Sequence, residues 1–157
     1  MLKAPLLLVL SLIATAATAQ TSCDKPVITL LRNNQELPAT GGALATSITI
    51  RVAPAAGCPE QRYRFRNAQI TLVHHGRPAL PSLVANEEAV NLRPFSSYES
   101  GDQVVVFIAY QDLATVAADG SIRPYLAARA AKLKSGQFDL KTDESKGISF
   151  NWSLVKQ

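Results

Sequence analysis

The sequence predicts an all-β domain built as a two-layer antiparallel sandwich with at most one short helix. Several segments of five to eight residues alternate apolar with polar side chains, as half-buried strands do. Turn-forming pairs such as Asn33–Asn34, Gly41–Gly42 and Asp119–Gly120 separate these segments. Short strands divided by turn signals, without an internal repeat, are typical of a sandwich.

Residues 1–19 are predicted to be a secretory signal peptide, which leaves residues 20–157 as one domain in the periplasm or outside the cell. Lys3 gives a positive start, Leu6–Ile13 is apolar, and Ala17–Ala19 supplies small residues for cleavage. The apolar run is too short to span a bilayer, and no later run reaches about 18 residues, so no membrane span is predicted. Lipidation of Cys23 is the alternative, although Gln20 stands where lipoprotein signals carry an apolar residue.

The charge and the cysteines limit the kinds of partner and cofactor. Removing Lys3 changes the formal net charge from +4 to +3, and the remaining basic residues are scattered, so a polyanionic partner is not required. Cys23 and Cys58 are the only two cysteines. An even count in an exported chain predicts one disulfide, here between the start of the first strand and the loop before Pro59.

Most of the remaining chain is assigned to strands and turns. The predicted strands are Val27–Leu31, Thr46–Val52, Gln103–Tyr110 and Ile148–Leu154, the last in a hairpin with Phe138–Leu140. Asp119–Gly120, between Val116 and Ile122, predicts a type I′ hairpin turn. Leu126–Leu133 is rich in alanine and predicts about two turns of helix. Pro78–Gly101 is predicted to be a long connection with a short strand at Leu83–Val84 or Val90–Leu92.

The stretch from Arg62 to Pro78 contains a change of period. Tyr63 and Phe65 form the apolar face first, and after Asn67 the apolar residues fall on even positions instead. An inserted residue exchanges the two faces of a strand, which predicts a β-bulge or sharp bend at Arg66–Asn67. His74–Pro78 is then expected to be a turn in which Pro78 prevents further pairing.

Three arginines in this stretch are candidate binding residues, namely Arg62, Arg64 and Arg66. Strand geometry places Tyr63 and Phe65 on the opposite face, whereas a base-stacking surface needs rings and cations together. We therefore predict no nucleic-acid partner. A solvated face, or an edge protected by charge, is the simplest interpretation, and an acidic protein or a glycan is the partner that this charge would suit.

The residue patterns of common catalytic and metal sites are missing from the sequence. His74 and His75 are the only histidines, and neighbouring side chains on a strand point apart, so both reach one metal only if a turn intervenes. The nearest carboxylates in sequence, Glu87 and Glu88, lack a ligand spacing. No nucleophile elbow, zinc-protease helix or glycine-rich phosphate loop is present. We expect no metal, no cofactor and no enzymatic activity.

Part of the chain, from Arg62 to Leu126, resembles the C-terminal domain of the gliding-motility protein GldM. The similar features are Gly101–Asp102, the apolar strand Val104–Ala109, the turn Asp119–Gly120, and Arg123 with Pro124. The resemblance implies an immunoglobulin-like β fold in the periplasm that binds proteins near the cell envelope. Full-length members have an N-terminal membrane helix and several domains for type IX secretion and motility, whereas this chain has a predicted cleavable signal and room for one domain.

The sequence thus predicts an exported, non-catalytic module that binds a protein or a cell-envelope component. The alternative is an extracellular carbohydrate-binding or adhesion module, in which loop aromatics form a sugar platform. The candidate residues for that platform are Tyr98, Tyr110 and Tyr125.

Overall fold

The computed structural model describes residues 23, 25–38, 40–125 and 146–156. The predicted signal peptide, the predicted helix Leu126–Leu133 and the predicted strand Phe138–Leu140 lie outside these residues. The described part contains no helix long and apolar enough to cross a membrane. It is built from strands and two short 3₁₀ turns, so the all-β prediction is confirmed.

Eleven strands make up the described part of the chain. They are β1 (Val27–Arg32), β2 (Gln35–Glu36), β3 (Ser47–Ala53), β4 (Arg62–Phe65), β5 (Ala68–His74), β6 (Arg77–Ala85), β7 (Ala89–Asn91), β8 (Gln103–Ala109), β9 (Leu113–Val116), β10 (Ile122–Pro124) and β11 (Gly147–Ser153). The 3₁₀ turns are Arg93–Phe95 and Tyr110–Asp112.

The strands form three antiparallel sheets in a sandwich-like arrangement. One sheet has the order β2-β1-β3-β7, a second has β11-β8-β5-β6, and a three-stranded sheet has β10-β9-β4. The predicted central strand is confirmed, because β8 lies between β11 and β5. The apolar faces of the two four-stranded sheets meet in one core, which leaves the opposite faces and the strand ends available for function.

The predicted alternation of apolar and polar residues is confirmed, because the side chains along the strands are alternately buried and exposed. In β3, Ile48, Ile50 and Val52 are buried while Arg51 is exposed. In β11, Ile148 and Trp152 are buried and Ser149 is exposed. Residues from both four-stranded sheets share the core; its largest fully buried side chains are Trp152, Leu30, Ile48, Ile50, Ile70, Leu92, Ile108, Leu113 and Leu154.

The predicted bend at Arg66–Asn67 is confirmed and marks a change of sheet. β4 ends at Phe65 in the three-stranded sheet, and β5 begins at Ala68 in a four-stranded one. Asp112 stabilises this bend through hydrogen bonds. Its carbonyl oxygen accepts a hydrogen bond from the Arg66 N–H at 2.8 Å, and its Oδ1 accepts one from Asn67 Nδ2 at 3.1 Å. The apolar residues therefore change from odd to even positions because the chain passes from one sheet to another at this bend.

The expectation for His74–Pro78 was wrong in its extent. The turn consists of His75 and Gly76, both with positive φ, and β6 starts directly at Arg77. Pro78 lies opposite Val73 within the ladder, and the register shifts between Ile70 and Leu72. Proline is accepted here because β6 is an edge strand, whose outer N–H groups need no partner in the sheet.

The predicted connection Pro78–Gly101 is also more ordered than expected. Its first part is the nine-residue strand β6, and β7 pairs with β3 through Val90 opposite Ile48. The hairpin between β9 and β10 is confirmed, but its turn is not type I′, because Gly120 has φ 83° and Asp119 is not among the residues with positive φ. The Gly120 N–H donates a hydrogen bond to the Ala117 carbonyl oxygen at 2.9 Å, so a turn over residues 117–120 that ends in a left-handed glycine reverses the chain.

The disulfide prediction is confirmed. Cys23 and Cys58 are bonded, with their Cα atoms 5.5 Å apart, which is within the usual range. The bond joins the chain just before β1 to the loop after β3. Because β1 and β3 already pair side by side, the disulfide closes the end of this hairpin-like unit.

Gly147 at the start of β11 supplies a test of the close contact between β11 and β8. A Cβ atom there would meet the Ile108 carbonyl oxygen and the Phe107 ring at distances that real Cβ atoms do not show. We expect Gly147→Ala to destabilise the protein by about 1–3 kcal/mol, because the strand pair must separate to admit the methyl group. Urea unfolding followed by circular dichroism measures this loss.

The matched control for this substitution is Gly42→Ala. The nearest atom to a Cβ at Gly42 is Trp152 Nε1 at 3.9 Å, an ordinary contact. We expect this variant to remain within about 0.5 kcal/mol of the parent protein. Equal losses in the two variants would contradict the close approach of β11 to β8 at Gly147.

Candidate functional site

A cluster of ionisable side chains lies where β5, β6 and the loop before β8 come together. His74 ends β5, and His75 forms the turn to β6. Glu99 and Asp102 come from the loop that follows the 3₁₀ turn Arg93–Phe95. Pairing of β5 with β8 brings the two parts of the chain together, since Val73 lies opposite Gln103 and the next residues along each strand are His74 and Asp102.

The turn brings the two histidine rings together. On a continued strand they would point apart, but His75 has φ 49° and reverses the chain with Gly76. The ring centroids of His74 and His75 are 4.0 Å apart, with the planes tilted by 43°. One ring nitrogen from each histidine and one carboxylate oxygen of Glu99 all lie within 4.8 Å of one another. The turn therefore brings both histidine rings close enough to bind one metal ion, which a continued strand would prevent.

Asp102 is the one charged residue that is fully buried in the described part of the core, with 1% of its surface exposed. Its Oδ1 accepts a hydrogen bond from His74 Nδ1 at 2.9 Å, and its Oδ2 accepts one from the Glu99 N–H at 2.8 Å. Its backbone carbonyl accepts the Leu154 N–H at 2.7 Å. Both carboxylate oxygens are therefore satisfied, and the side chain holds the His74 ring in one orientation.

These contacts move the pKa of both partners in the directions that favour an ion pair. The hydrogen bond to Asp102 raises the pKa of His74, and partial burial opposes it only in part. Burial acts to raise the pKa of Asp102, but hydrogen bonds from the Glu99 N–H and His74, with the nearby histidine charge, lower the pKa overall. His74 remains 41% exposed at its side chain, so its free ring edge is accessible from solvent.

A cleft of about 370 Å³ adjoins this cluster. Its lining includes the apolar Leu72, Pro94 and Phe95 and the polar His74, Ser97 and Glu99. Among the described residues, Ser97 makes no hydrogen bond to His74.

Sequence reasoning missed Glu99 and Asp102 as partners of the histidines. It considered Glu87 and Glu88, which lie nearer in sequence and are exposed in the turn between β6 and β7. The available signal was the position of Asp102 immediately before an apolar strand. It becomes informative only when β8 is known to pair with β5, because that register places Asp102 beside His74.

The three candidate arginines have different surroundings. Arg62 and Arg64 are exposed on β4, and Tyr63 and Phe65 on the other face pack against the core, as expected. Within the part of the chain that the structure describes, neither guanidinium has an ion-pair or hydrogen-bond partner. Arg66 differs, since it pairs with Asp112 at 3.3 Å at the sheet corner. Arg66 therefore has a structural role at this corner.

Apolar side chains accompany Arg62 and Arg64 on their exposed face. Arg62 lies opposite Val116 on β9, and Val116 lies opposite Ile122 on β10, so these side chains point to the same side. Arg64 lies opposite Ala114 in the same way. Ile122 is 56% exposed. We call the set Arg62, Arg64, Ala114, Val116 and Ile122 the arginine face.

The three candidate tyrosines are not gathered into one platform. Tyr110 and Tyr125 contact each other with ring centroids 5.4 Å apart, and Tyr125 also contacts Tyr63 at 6.1 Å. Tyr98 has no ring contact with them among the described residues; its hydroxyl accepts the Leu44 N–H at 3.4 Å. All four rings are half-buried against the core, which limits the ring area that a sugar could cover.

No family model, curated protein or solved structure matches this chain.

Proposed function

We propose that this chain is an exported, non-catalytic β-sandwich module that binds an acidic surface of an envelope or secreted protein. The observation that carries the proposal is the arginine face. Among the described residues these two guanidinium groups have no ion-pair partner, and they share one strand face with the exposed Ile122 and the half-buried Val116. Protein interfaces favour this combination, because arginine supplies both charge and contact area while the apolar residues lose contact with water on binding.

Charge complementarity decides which partner suits this face. Arg62 and Arg64 lie on alternate residues of one strand and so project side by side, about 7 Å apart. Two neighbouring carboxylates of a partner would pair with them in bidentate geometry. Such a pairing gives specificity and a faster encounter, and the adjacent Val116 and Ile122 contribute buried apolar area.

The remaining parts of the proposal follow from the sequence and the disulfide. A predicted signal peptide and a disulfide both suit an oxidising compartment such as the periplasm. The resemblance to the GldM C-terminal domain supports an immunoglobulin-like topology and a place beside secretion or motility machinery. In that resemblance, the turn Asp119–Gly120 connects β9 to β10, and Arg123 and Pro124 lie in β10; these two strands carry part of the arginine face.

Site-specific crosslinking followed by direct binding tests the arginine face. A photoreactive residue at Ile122 should crosslink to a protein in intact cells, whereas one at Val84, 71% exposed on β6, should not. With the crosslinked partner purified, the double variant Arg62→Glu/Arg64→Glu should bind it roughly 10- to 100-fold more weakly, because two like-charge contacts replace two favourable ones.

The matched control is the double variant Arg32→Glu/Arg51→Glu. It makes the same change in net charge at exposed positions of β1 and β3. Its affinity should stay within about twofold of the parent protein at moderate salt, where distant charges are screened. Equal losses in both double variants would show a general charge effect, and crosslinking of Ile122 to a glycan alone would reject a protein partner.

Carbohydrate binding is the second candidate, and one observation favours it. Tyr110 and Tyr125 come from separate elements and lie together, next to Tyr63. A sugar that stacks on them would change tyrosine or tryptophan fluorescence, and that change would disappear in a Tyr110→Ala/Tyr125→Ala variant. Because both rings are half-buried, we rank this candidate below the arginine face.

A further inference from the structure

The histidine cluster has the donor atoms of a metal site and is separate from the arginine face. Two imidazoles and one carboxylate bring their ligand atoms within 4.8 Å of one another. Tetrahedral zinc, with ligand distances of about 2.0–2.1 Å, places neighbouring ligand atoms about 3.3 Å apart. His75 and Glu99 are exposed, so small rotations of their side chains close the difference.

A buried carboxylate already orients the first ligand. Oδ1 of Asp102 accepts a hydrogen bond from Nδ1 of His74. This leaves Nε2 as the ring nitrogen with a free lone pair. Histidines that bind metals donate their second ring N–H to a carboxylate or a carbonyl in this way, and the partner fixes the ring and raises its basicity. The same Asp102 accepts the Glu99 N–H, so it also fixes the backbone that carries the carboxylate ligand.

We propose that His74, His75 and Glu99 bind a divalent transition-metal ion of the zinc type, with Asp102 as a positioning residue. The ion would be held by Nε2 of His74, one ring nitrogen of His75 and the Glu99 carboxylate. Three protein ligands leave the fourth position of a tetrahedral ion for a water molecule. This inference goes beyond the proposed protein binding and does not depend on it.

The chemistry of the donors selects the class of ion. Two imidazole nitrogens favour zinc, copper or nickel, whereas calcium and magnesium require a shell made of oxygen ligands. The charges also balance, since Glu99 and Asp102 together contribute two negative charges against the two positive charges of the ion. The cleft beside the cluster leaves the ion a path from solvent, because His74 and Glu99 both line it.

Calorimetric titration of the mature protein with zinc chloride tests the site. The protein must be prepared without a histidine tag, because the chain has only two histidines of its own. We expect binding of one ion per chain. His74→Ala, His75→Ala and Glu99→Gln should each weaken binding by more than roughly tenfold, since loss of an outer carboxylate alone costs about 10- to 100-fold. His75 and Glu99 are exposed, so their variants should fold.

Glu88→Gln is the matched control, because it removes one exposed carboxylate outside the cluster, and its affinity should be unchanged. In the zinc-loaded protein, ¹⁵N spectra should show His74 protonated at Nδ1 and metal-bound at Nε2, which is the assignment that the contact between Nδ1 and Asp102 requires. Metal binding through Nδ1 of His74 would contradict the positioning role of Asp102. A dissociation constant weaker than about 1 mM, or unchanged affinity in His75→Ala or Glu99→Gln, overturns the proposal.

Discussion

Replacing Trp152 by alanine should remove about 3–5 kcal/mol from the free energy of unfolding. Trp152 is fully buried in β11, where it lies beside Val104 of β8 and closes the core between the two four-stranded sheets. Domains of this size are stable by about 5–15 kcal/mol, so the loss is a large part of the total. Because this is the only tryptophan, unfolding in urea must be followed by circular dichroism.

Trp152→Phe distinguishes the contribution of the ring volume to stability from the contribution of the indole nitrogen. The indole Nε1 is buried and has no hydrogen-bond partner among the described residues. Phenylalanine leaves a smaller void and removes this unsatisfied N–H, so we expect a cost of only about 1–2 kcal/mol. If Trp152→Phe were as destabilising as Trp152→Ala, the indole N–H would be contributing a favourable interaction. A loss below about 1 kcal/mol for alanine would contradict the central position of Trp152 in the core.

Removing the disulfide should have an effect of similar size through the unfolded state. Cys23 and Cys58 are 35 residues apart, and closing such a loop stabilises the fold by about 4 kcal/mol in the chain-entropy model. The double variant Cys23→Ala/Cys58→Ala avoids a lone thiol. Its m-value in urea should also increase, because an unlinked chain exposes more surface when it unfolds.

Reduced parent protein serves as the control for the double variant. Both lack the covalent link, so their unfolding free energies should agree within about 0.5 kcal/mol. An oxidised protein that is no more stable than the double variant would contradict a stabilising link. Free thiols at both positions would contradict the disulfide and the oxidising compartment inferred from it. A lipid on Cys23 would increase the mass of the intact protein and would exclude a disulfide at that residue.

Local patterns predicted much of the fold because they express local geometry. Alternation placed Ile48, Ile50 and Val52 on one buried face, and the change of period located the corner at Arg66–Asn67. Proline was the misleading signal. Pro78 was expected to end pairing, but it lies in an edge strand, and which strand lies at an edge is a property of the whole sheet.

By itself, the sequence determined the class of fold, the positions of most strands along the chain and the cysteine pair, since period-two burial and cysteine count depend on near neighbours. Only the tertiary structure decided that His74 and Asp102 lie 2.9 Å apart, and that Arg62, Val116 and Ile122 share a face. Both arrangements come from the register between strands distant in the chain. Register depends on how two sheets pack around one core, and that packing energy is not encoded in any single segment.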